Sequence, residues 1–294
     1  MKHEIRYGKA EITVYRSYAT PLRGIAEIPE SDFTGRSNTL FAAIVTVEVF
    51  GDNFLPSYTQ GDNSNVVATD TMKNFVYAMA LEYAGATLEG FAAFLAGRFL
   101  EMYEQMQSVA IHCREIPFQD HSDKLLGRRR DDYATTDLEV GRSHPLRLES
   151  GRRDLRLIKL TGSAFAAFVR DDYTTLPERR DRPLHIYLDV FWTYADPATA
   201  VTGQAAGYVP SEQVRGVVVR TFDDFVSMSI QHLVHEMGNR LLDRFPQLAS
   251  VRFEAQNRLW DTSAEASEGP ARVFSDPKPA HGSIGLTLHR DDSA

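Results

Sequence analysis

The fold of this chain can be predicted outward from the stretch Gly61-Asp62-Asn63-Ser64-Asn65-Val66-Val67-Ala68-Thr69-Asp70-Thr71-Met72-Lys73-Asn74, where a polar turn leads into a helix. From Met72 onward the apolar residues recur three and four positions apart, as on one face of an amphipathic helix. They are Met72, Phe75, Val76, Met79, Ala80 and Tyr83. Thr69 or Asp70 is a suitable N-cap. The unpaired N–H groups of a helix N-terminus favour an anionic ligand, although a plain cap is the simpler interpretation.

The remaining elements fall into two similar sets. The first half is predicted to form strands over 3–15 and 41–50, helices over 71–83 and 87–105, and strands over 108–118 and 133–140. The second half repeats this order, with strands over 155–160 and 185–194, helices over 211–225 and 226–244, and strands over 251–257 and 283–289. This order predicts an α+β fold in which helices cover one face of antiparallel sheet. The polar, arginine-rich region 141–153 is the expected boundary.

Composition excludes several classes of protein. The formal net charge of −8 argues against a nucleic-acid binder and against binding to an anionic membrane surface. Cys113 is the only cysteine, and its strand-like setting predicts burial in a reducing compartment. No apolar run is long enough for a membrane helix, and neither end carries a signal region or a Ser-Lys-Leu address. We therefore expect a cytoplasmic protein.

Several motifs, in order along the chain, resemble those of the urate oxidases, or uricases. The segment Val67 to Asn74 is similar to the signature of that family, and Tyr7-Gly8-Lys9-Ala10-x-Ile12 is similar to its lysine segment. In the second half the matching segments are Phe165-x-x-Phe168-x-Arg170-Asp171-x-Tyr173-Thr174-Thr175-Leu176 with Asp181-Arg182, then Ser229-Ile230-Gln231 and Gln256-Asn257. The resemblance implies a tandem T-fold of two ββααββ units, residues 1–144 and 145–294. In that fold, antiparallel sheets from several subunits close into a barrel around a tunnel, with the helices outside.

The first unit is expected to carry the base. The side chains of β-strand residues Ile5, Tyr7 and Lys9 share one face, and the apolar phase then shifts, so we predict a bulge near Gly8 that re-aims Lys9. A solvent-facing lysine is the ordinary interpretation. The resemblance implies instead that Lys9 and Thr69 form a proton relay, because a partly desolvated lysine can act as a base near neutral pH. Asp70 is expected to bind substrate through its backbone N–H.

The second unit is expected to clamp the substrate. The planar guanidinium of Arg182 suits a carbonyl oxygen and the neighbouring ring nitrogen of an anionic purine, and the amide of Gln231 matches an adjacent N–H and C=O. Phe165 could stack on a flat ring, and Ile230 would supply a backbone N–H. The ordinary alternatives are a surface ion pair of Arg182 with Asp181 or Glu178, a polar helix start at Gln231 and core packing for Phe165.

Asn257 ends an apolar strand face. The resemblance implies that Asn257 and Thr69 handle oxygen or water above the ring, and that Thr69 also binds the substrate. Many urate oxidases carry a histidine two positions later that completes the relay, whereas this chain has Leu259. His232 and His235 lie three positions apart, but their spacing with Glu236 does not match a zinc-binding motif, so no metal is expected.

The resemblance implies oxidation of urate by O2 and water to 5-hydroxyisourate, with release of hydrogen peroxide and without a cofactor. It also implies a homotetramer with active sites at subunit interfaces. Two other functions are considered: a T-fold enzyme acting on a pterin-like heterocycle, and a non-catalytic purine-binding protein. A test for turnover of urate would distinguish an enzyme from the non-catalytic purine-binding protein.

Overall fold

The computed structural model describes residues 3–122, 124–130, 132–143, 145–202, 207–258 and 260–290. The first half begins with two strands, continues with three helices and ends with four strands. In chain order these are β1 (Arg6–Ser17), β2 (Leu40–Phe50), α1 (Leu55–Thr59), α2 (Thr69–Glu82), α3 (Leu88–Met102), β3 (Ser108–Glu115), β4 (Phe118–Ser122), β5 (Leu125–Arg128) and β6 (Tyr133–Gly141).

The second half has the same plan. Its elements are β7 (Arg147–Lys159), β8 (Leu184–Tyr194), α4 (Pro197–Val201), α5 (Ser211–Asp224), α6 (Ile230–Arg244), β9 (Leu248–Arg258), β10 (Thr262–Glu265), β11 (Arg272–Phe274) and β12 (Gly282–His289). None of the helices in the described ranges is long and apolar enough to cross a membrane.

Eight strands form one antiparallel sheet in the order β1-β2-β3-β6-β7-β8-β9-β12. The hairpin between β6 and β7 joins the sheets of the two halves. The pairs β4–β5 and β10–β11 form separate two-stranded sheets. The predicted α+β class and the repeated ββααββ order are therefore confirmed, while the two small hairpins were not predicted.

The core lies between one face of the sheet and the four longer helices. Alternate residues of β2, among them Val45, Val47 and Val49, are fully buried. Helix α2 packs against β1, α3 against β3 and β6, α5 against β7, and α6 against β9 and β12. The predicted apolar face of α2 is confirmed, with Met72 and Val76 fully buried. Cys113 is buried, as predicted.

Two predicted boundaries were wrong. The strand expected over 155–160 begins at Arg147, inside the region that we interpreted as a polar boundary. Arg152 is buried there, because it donates hydrogen bonds to the carboxylates of Asp132 and Glu115. The last helix begins at Ile230, not at 226, because the residues before it are extended.

A buried carboxyl group lies between α3 and β7. Glu89 is 4% exposed, and its carboxylate accepts a hydrogen bond of 2.8 Å from the hydroxyl of Ser150. Burial raises the pKa of Glu89 from 4.5 to about 7. The folded chain thus holds this proton more tightly than the unfolded chain, and the free energy of unfolding falls as pH rises from 4.5 through about 7.

We expect Glu89→Gln to stabilise the protein at pH 8 by about 2 to 3 kcal/mol, because the amide keeps the contact with Ser150 without a buried charge. The gain should nearly vanish at pH 5, where the wild-type carboxyl is mostly protonated. The measurement is denaturant unfolding at both pH values and one protein concentration. Glu104→Gln, at an exposed position, is the control. A pH-independent difference would contradict the assignment.

Candidate active site

Strand β1 holds Lys9 at a distortion of the sheet. The pairing of β1 with β2 shifts register between Lys9 and Ile12, and Glu11 has a φ of 57°, so the predicted bulge is confirmed just after Lys9. The bulged N–H of Glu11 donates to the hydroxyl of Thr46 at 3.4 Å. A Cβ at Gly8 would lie 1.8 Å from the carbonyl oxygen of Val47, so only glycine allows this close approach of the strands.

Thr69 is the first residue of α2, and the prediction that Thr69 or Asp70 is the N-cap was wrong. The N-cap is Ala68, which has no side chain able to cap the helix. The carboxylate of Asp70 instead pairs with Lys73 at 2.5 Å and accepts from Asn74 at 3.2 Å. The first-turn N–H groups of α2 therefore have no capping side chain, which favours an external acceptor.

The strand and the helix meet in this half of the chain. The hydroxyl of Tyr7 accepts a hydrogen bond of 2.9 Å from the backbone N–H of Val67, two residues before Thr69. The hydrogen bond and the charge of Lys73 lower the pKa of Asp70, and Lys9 is close enough to contribute to this shift. Lys9, Thr69 and Asp70 thus lie near one another. We call them the base half-site.

A second group of predicted residues is organised around the segment after β7. Ser163 and Ser227 form a parallel β-bridge, in which the N–H of Ala164 donates to the carbonyl of Ser227 at 2.8 Å. The N–H of Arg182 donates to the carbonyl of Ser163, also at 2.8 Å. These bonds attach Arg182 to the extended residues that lead into α6, and the sequence alone gave no indication of the bridge.

The guanidinium of Arg182 has no acidic partner in the described ranges. Asp181 accepts from Thr161 and Gly162 instead, and Glu178 accepts from the N–H of Ala167. The surface ion pair considered above is therefore wrong. The Nε of Arg182 is buried without a hydrogen-bond acceptor among the described residues, and burial lowers the pKa of its guanidinium. A buried donor without a partner is costly, so this one favours a bound ligand.

Phe165 lies beneath Arg182. The guanidinium carbon of Arg182 is 5.4 Å from the centroid of the Phe165 ring. Phe168 stacks on that ring with centroids 4.9 Å apart and an interplanar angle of 13°. Phe165 is only half-buried, so part of its ring remains available to a flat ligand.

The N-terminus of α6 carries Ile230 and Gln231. Ser229 is the N-cap, and its hydroxyl accepts from the N–H of His232 at 3.0 Å. The side chain of Ile230 is buried, whereas that of Gln231 is exposed and has no hydrogen-bond partner in the described part of the chain. This helix start offers backbone donors and one free amide.

Asn257 lies near the end of β9, where it pairs with Ile186 of β8. Arg182 precedes β8 by two residues, and β8 runs antiparallel to β9, so both residues lie at the same end of the sheet. The Ser163–Ser227 bridge brings the start of α6 to this end as well. We call this group the clamp half-site; its members are Phe165, Arg182, Ile230, Gln231 and Asn257.

The two half-sites lie at opposite ends of the sheet. The row of paired residues through Lys9 continues across the strands as Val47, Ile111, Leu138 and Leu148. One position further along the strands, toward the end of the sheet that carries Asn257, the next row of paired residues is Glu149, Thr193 and Ser250. Asn257 lies seven residues beyond Ser250 on β9, a separation from the Lys9 row of roughly 25 Å along the strands. One chain therefore does not unite the two half-sites.

The remaining predicted positions lie elsewhere. Leu259, which stands where many urate oxidases have a histidine, falls outside the described residues. His232 contacts Phe225 edge-on, with ring centroids 4.7 Å apart, and His235 contacts Asn239 at 3.3 Å. Tyr7 was not among the predicted site residues. Its position two residues before Lys9, on the same strand face, is the signal that could have identified its contact with the loop before α2.

Comparison with known proteins identifies the family. The model of the Uricase family matches residues 5–135 and 148–285. A uricase of Haloferax volcanii is 45% identical, and the alignment covers 98% of this chain and 99% of the relative. The crystal structure of urate oxidase from Bacillus sp. TB-90 superposes with a TM-score of 0.94 at 39% identity, covering 97% of this chain and all of that one. A uricase structure from Bacillus fastidious superposes with a TM-score of 0.95 at 40% identity, covering 98% of this chain and 94% of that one. These matches span both half-sites, and the chain belongs to the uricase family.

Proposed function

We propose that this uricase oxidises urate with O2 and water to 5-hydroxyisourate and hydrogen peroxide. Urate loses two electrons to O2, the oxygen of water becomes the new hydroxyl group on the ring, and the two protons released end on peroxide. Family membership over the whole chain carries the proposal. The Nε of Arg182, which has no acceptor among the described residues and lies above a half-exposed aromatic ring, supports it, because both features suit a flat anion. Neither the pterin enzyme nor the non-catalytic binding protein is favoured by any of these relatives.

The clamp half-site would hold the ring of urate in one plane. Arg182 would donate to a carbonyl oxygen and the adjacent ring nitrogen, and the amide of Gln231 would pair with the N–H and C=O on the opposite edge. Phe165 would cover one face of the ring. The backbone N–H groups of Ile230 and Asp70 would contact the ring edge, as donors at two helix starts.

The base half-site would remove a proton from urate. Thr69 cannot act as a base alone, but its hydroxyl can relay a proton to the amine of Lys9. Asn257 would hold O2 or water above the ring. The urate anion is electron-rich enough to reduce O2 itself, so in this proposal no cofactor or metal is needed. The protein deprotonates urate and positions the reactants.

A whole site then requires two copies of the chain. Because Lys9 and Asn257 lie at opposite ends of the sheet, the base half-site of one copy would meet the clamp half-site of its neighbour. The edge strands β1 and β12 have unpaired backbone groups within one chain, and pairing between copies would satisfy them. We propose a cytoplasmic homotetramer in which units 1–144 and 145–294 of neighbouring chains alternate around a barrel.

We expect Lys9→Ala to lower kcat by roughly 10² to 10⁴, the range for loss of a general base. Binding of a non-reactive purine analogue should change much less. Urate consumption is followed by ultraviolet absorbance, and Lys278→Ala, at an exposed position of the second half, serves as the control. Near-normal turnover by Lys9→Ala would remove Lys9 from the role of base.

We expect Arg182→Ala to weaken binding of an anionic purine analogue by about 2 to 3 kcal/mol, because a charge-assisted contact is lost. Calorimetric titration measures this change. The matched control is Arg170→Ala, since Arg170 lies over Phe168 at 5.6 Å much as Arg182 lies over Phe165, yet it donates to the carbonyl of Leu176. Equal losses in both variants would count against a specific clamp.

We expect inactive Lys9→Ala and inactive Arg182→Ala proteins to restore activity when their subunits exchange. Random pairing leaves about one site in four with both half-sites intact. The control mixes Lys9→Ala with the Lys9→Ala/Arg182→Ala double variant, which has no intact pairing. Exchange is verified by native mass spectrometry. No recovery despite proven exchange, or full activity in a monomer, would refute the shared site.

A further inference from the structure

We propose that Tyr7 is a positioning residue for the base half-site, a role that rests on the function proposed above for Lys9 and Thr69. The phenol attaches the strand that carries Lys9 to the loop that leads to Thr69, and so fixes the distance between the two groups. Tyr7 does not need to contact substrate for this role.

The hydroxyl group and the ring of Tyr7 each make a contact that supports this role. Its hydroxyl oxygen accepts from the N–H of Val67 at 2.9 Å. Val67 is buried and this hydrogen bond is partly buried, so removing the hydroxyl of Tyr7 would take away the acceptor of this backbone N–H. The ring of Tyr7 meets the ring of Phe54 edge-on, with centroids 4.9 Å apart, and Phe54 is fully buried. A ring held in this way presents its oxygen at one place.

The sequence spacing turns this contact into a link between the two reacting groups. Tyr7 and Val67 each stand two residues before their partner in the proposed relay, Lys9 on β1 and Thr69 on α2. On the strand, residues two apart project to the same side. One hydrogen bond therefore sets the separation of a lysine and a threonine that lie 60 residues apart in sequence.

Position 7 is also flanked by rigid backbone. Gly8 lies against the carbonyl of Val47, and the bulge at Glu11 follows directly after the lysine. These features fix the strand on β2 but do not connect it to α2. The loop before α2 is polar and exposed from Gly61 to Asn65. Helix α2 itself packs against β1, and the hydroxyl of Tyr7 adds a directed contact between the strand and the loop that leads into the helix start.

The test compares Tyr7→Phe with Tyr58→Phe. Tyr7→Phe keeps the ring on Phe54 and removes only the acceptor for Val67. Tyr58 is a matched control, because its hydroxyl also contacts this part of β1, donating to the carbonyl of Arg6 at 3.0 Å, but it does not hold the loop before α2. Both variants are assayed as the assembled oligomer with urate over a range of pH.

We expect Tyr7→Phe to lower kcat by roughly 10-fold, with a smaller change in KM, because a misplacement of about 1 Å can cost up to ~10²-fold and the ring of Tyr7 stays in place. The limb of the pH profile that Lys9→Ala abolishes should shift. Tyr58→Phe should match the wild type. In a Lys9→Ala background, Tyr7→Phe should cost no further activity, because the group that it positions is already absent.

Two outcomes would overturn the proposal. One is an unchanged kcat and pH profile in Tyr7→Phe. The other is an equal fold-loss from Tyr7→Phe with and without Lys9, which would mean that Tyr7 acts independently. If Lys9→Ala itself keeps turnover, the proposed base fails instead. Hydrogen exchange of the wild-type protein provides a test that needs no variant, since an unprotected Val67 amide would also overturn the role.

Discussion

Strand direction in the eight-stranded sheet is the constraint on which the chemistry of this chain depends. Neighbouring strands run in opposite directions, so β1 and β9, six places apart in the sheet, run in the same direction. The start of β1 and the end of β9 therefore lie at opposite ends of the sheet. The groups proposed to abstract a proton stand at one end, and those proposed to bind the purine stand at the other. No local flexibility brings them together, because the hydrogen-bonded ladder between them is continuous. The proposed sharing of the site between copies rests on this arrangement of the sheet.

The two half-sites use different helix starts. The base half-site lies at the start of α2, where Ala68 leaves the N–H groups without a side-chain acceptor. The clamp half-site lies at the start of α6, where Ser229 occupies one donor and leaves others for a ligand. α2 is the first long helix of its half, whereas α6 is the second. The two halves therefore repeat the fold but place their half-sites at different helices. This difference suits a reaction that needs a base on one side of the substrate and a clamp on the other.

The sequence predicted those parts of the structure that depend on residues close together in the chain. The spacing of apolar residues and the position of turn-forming residues predicted the element order, the apolar face of α2 and the bulge beside Lys9. Prediction failed where distant charges decided the outcome. The arginines of β7 suggested a polar boundary. They lie in a strand instead, because Arg152 is paired with the carboxylates of Asp132 and Glu115, 20 and 37 residues away in the sequence. The Ser163–Ser227 bridge and the contact of Tyr7 with Val67 are equally long-range, and no local pattern encodes them. The motifs predicted the site residues and their division between the two units, and the paired rows of the sheet place the two groups at opposite ends.

Because the half-sites lie at opposite ends of the sheet, the activity of the protein would also depend on the fraction of chains that are associated. Under the shared-site proposal, an isolated chain is fully folded and yet has no working centre. Activity per milligram would then depend on dilution, falling once the concentration drops below the dissociation constant of the interface, although circular dichroism would register no loss of structure. Urate bridging the two copies would oppose this dissociation, since a ligand that binds only the paired form favours that form by mass action. Urate would thus stabilise the association of the subunits that bind it.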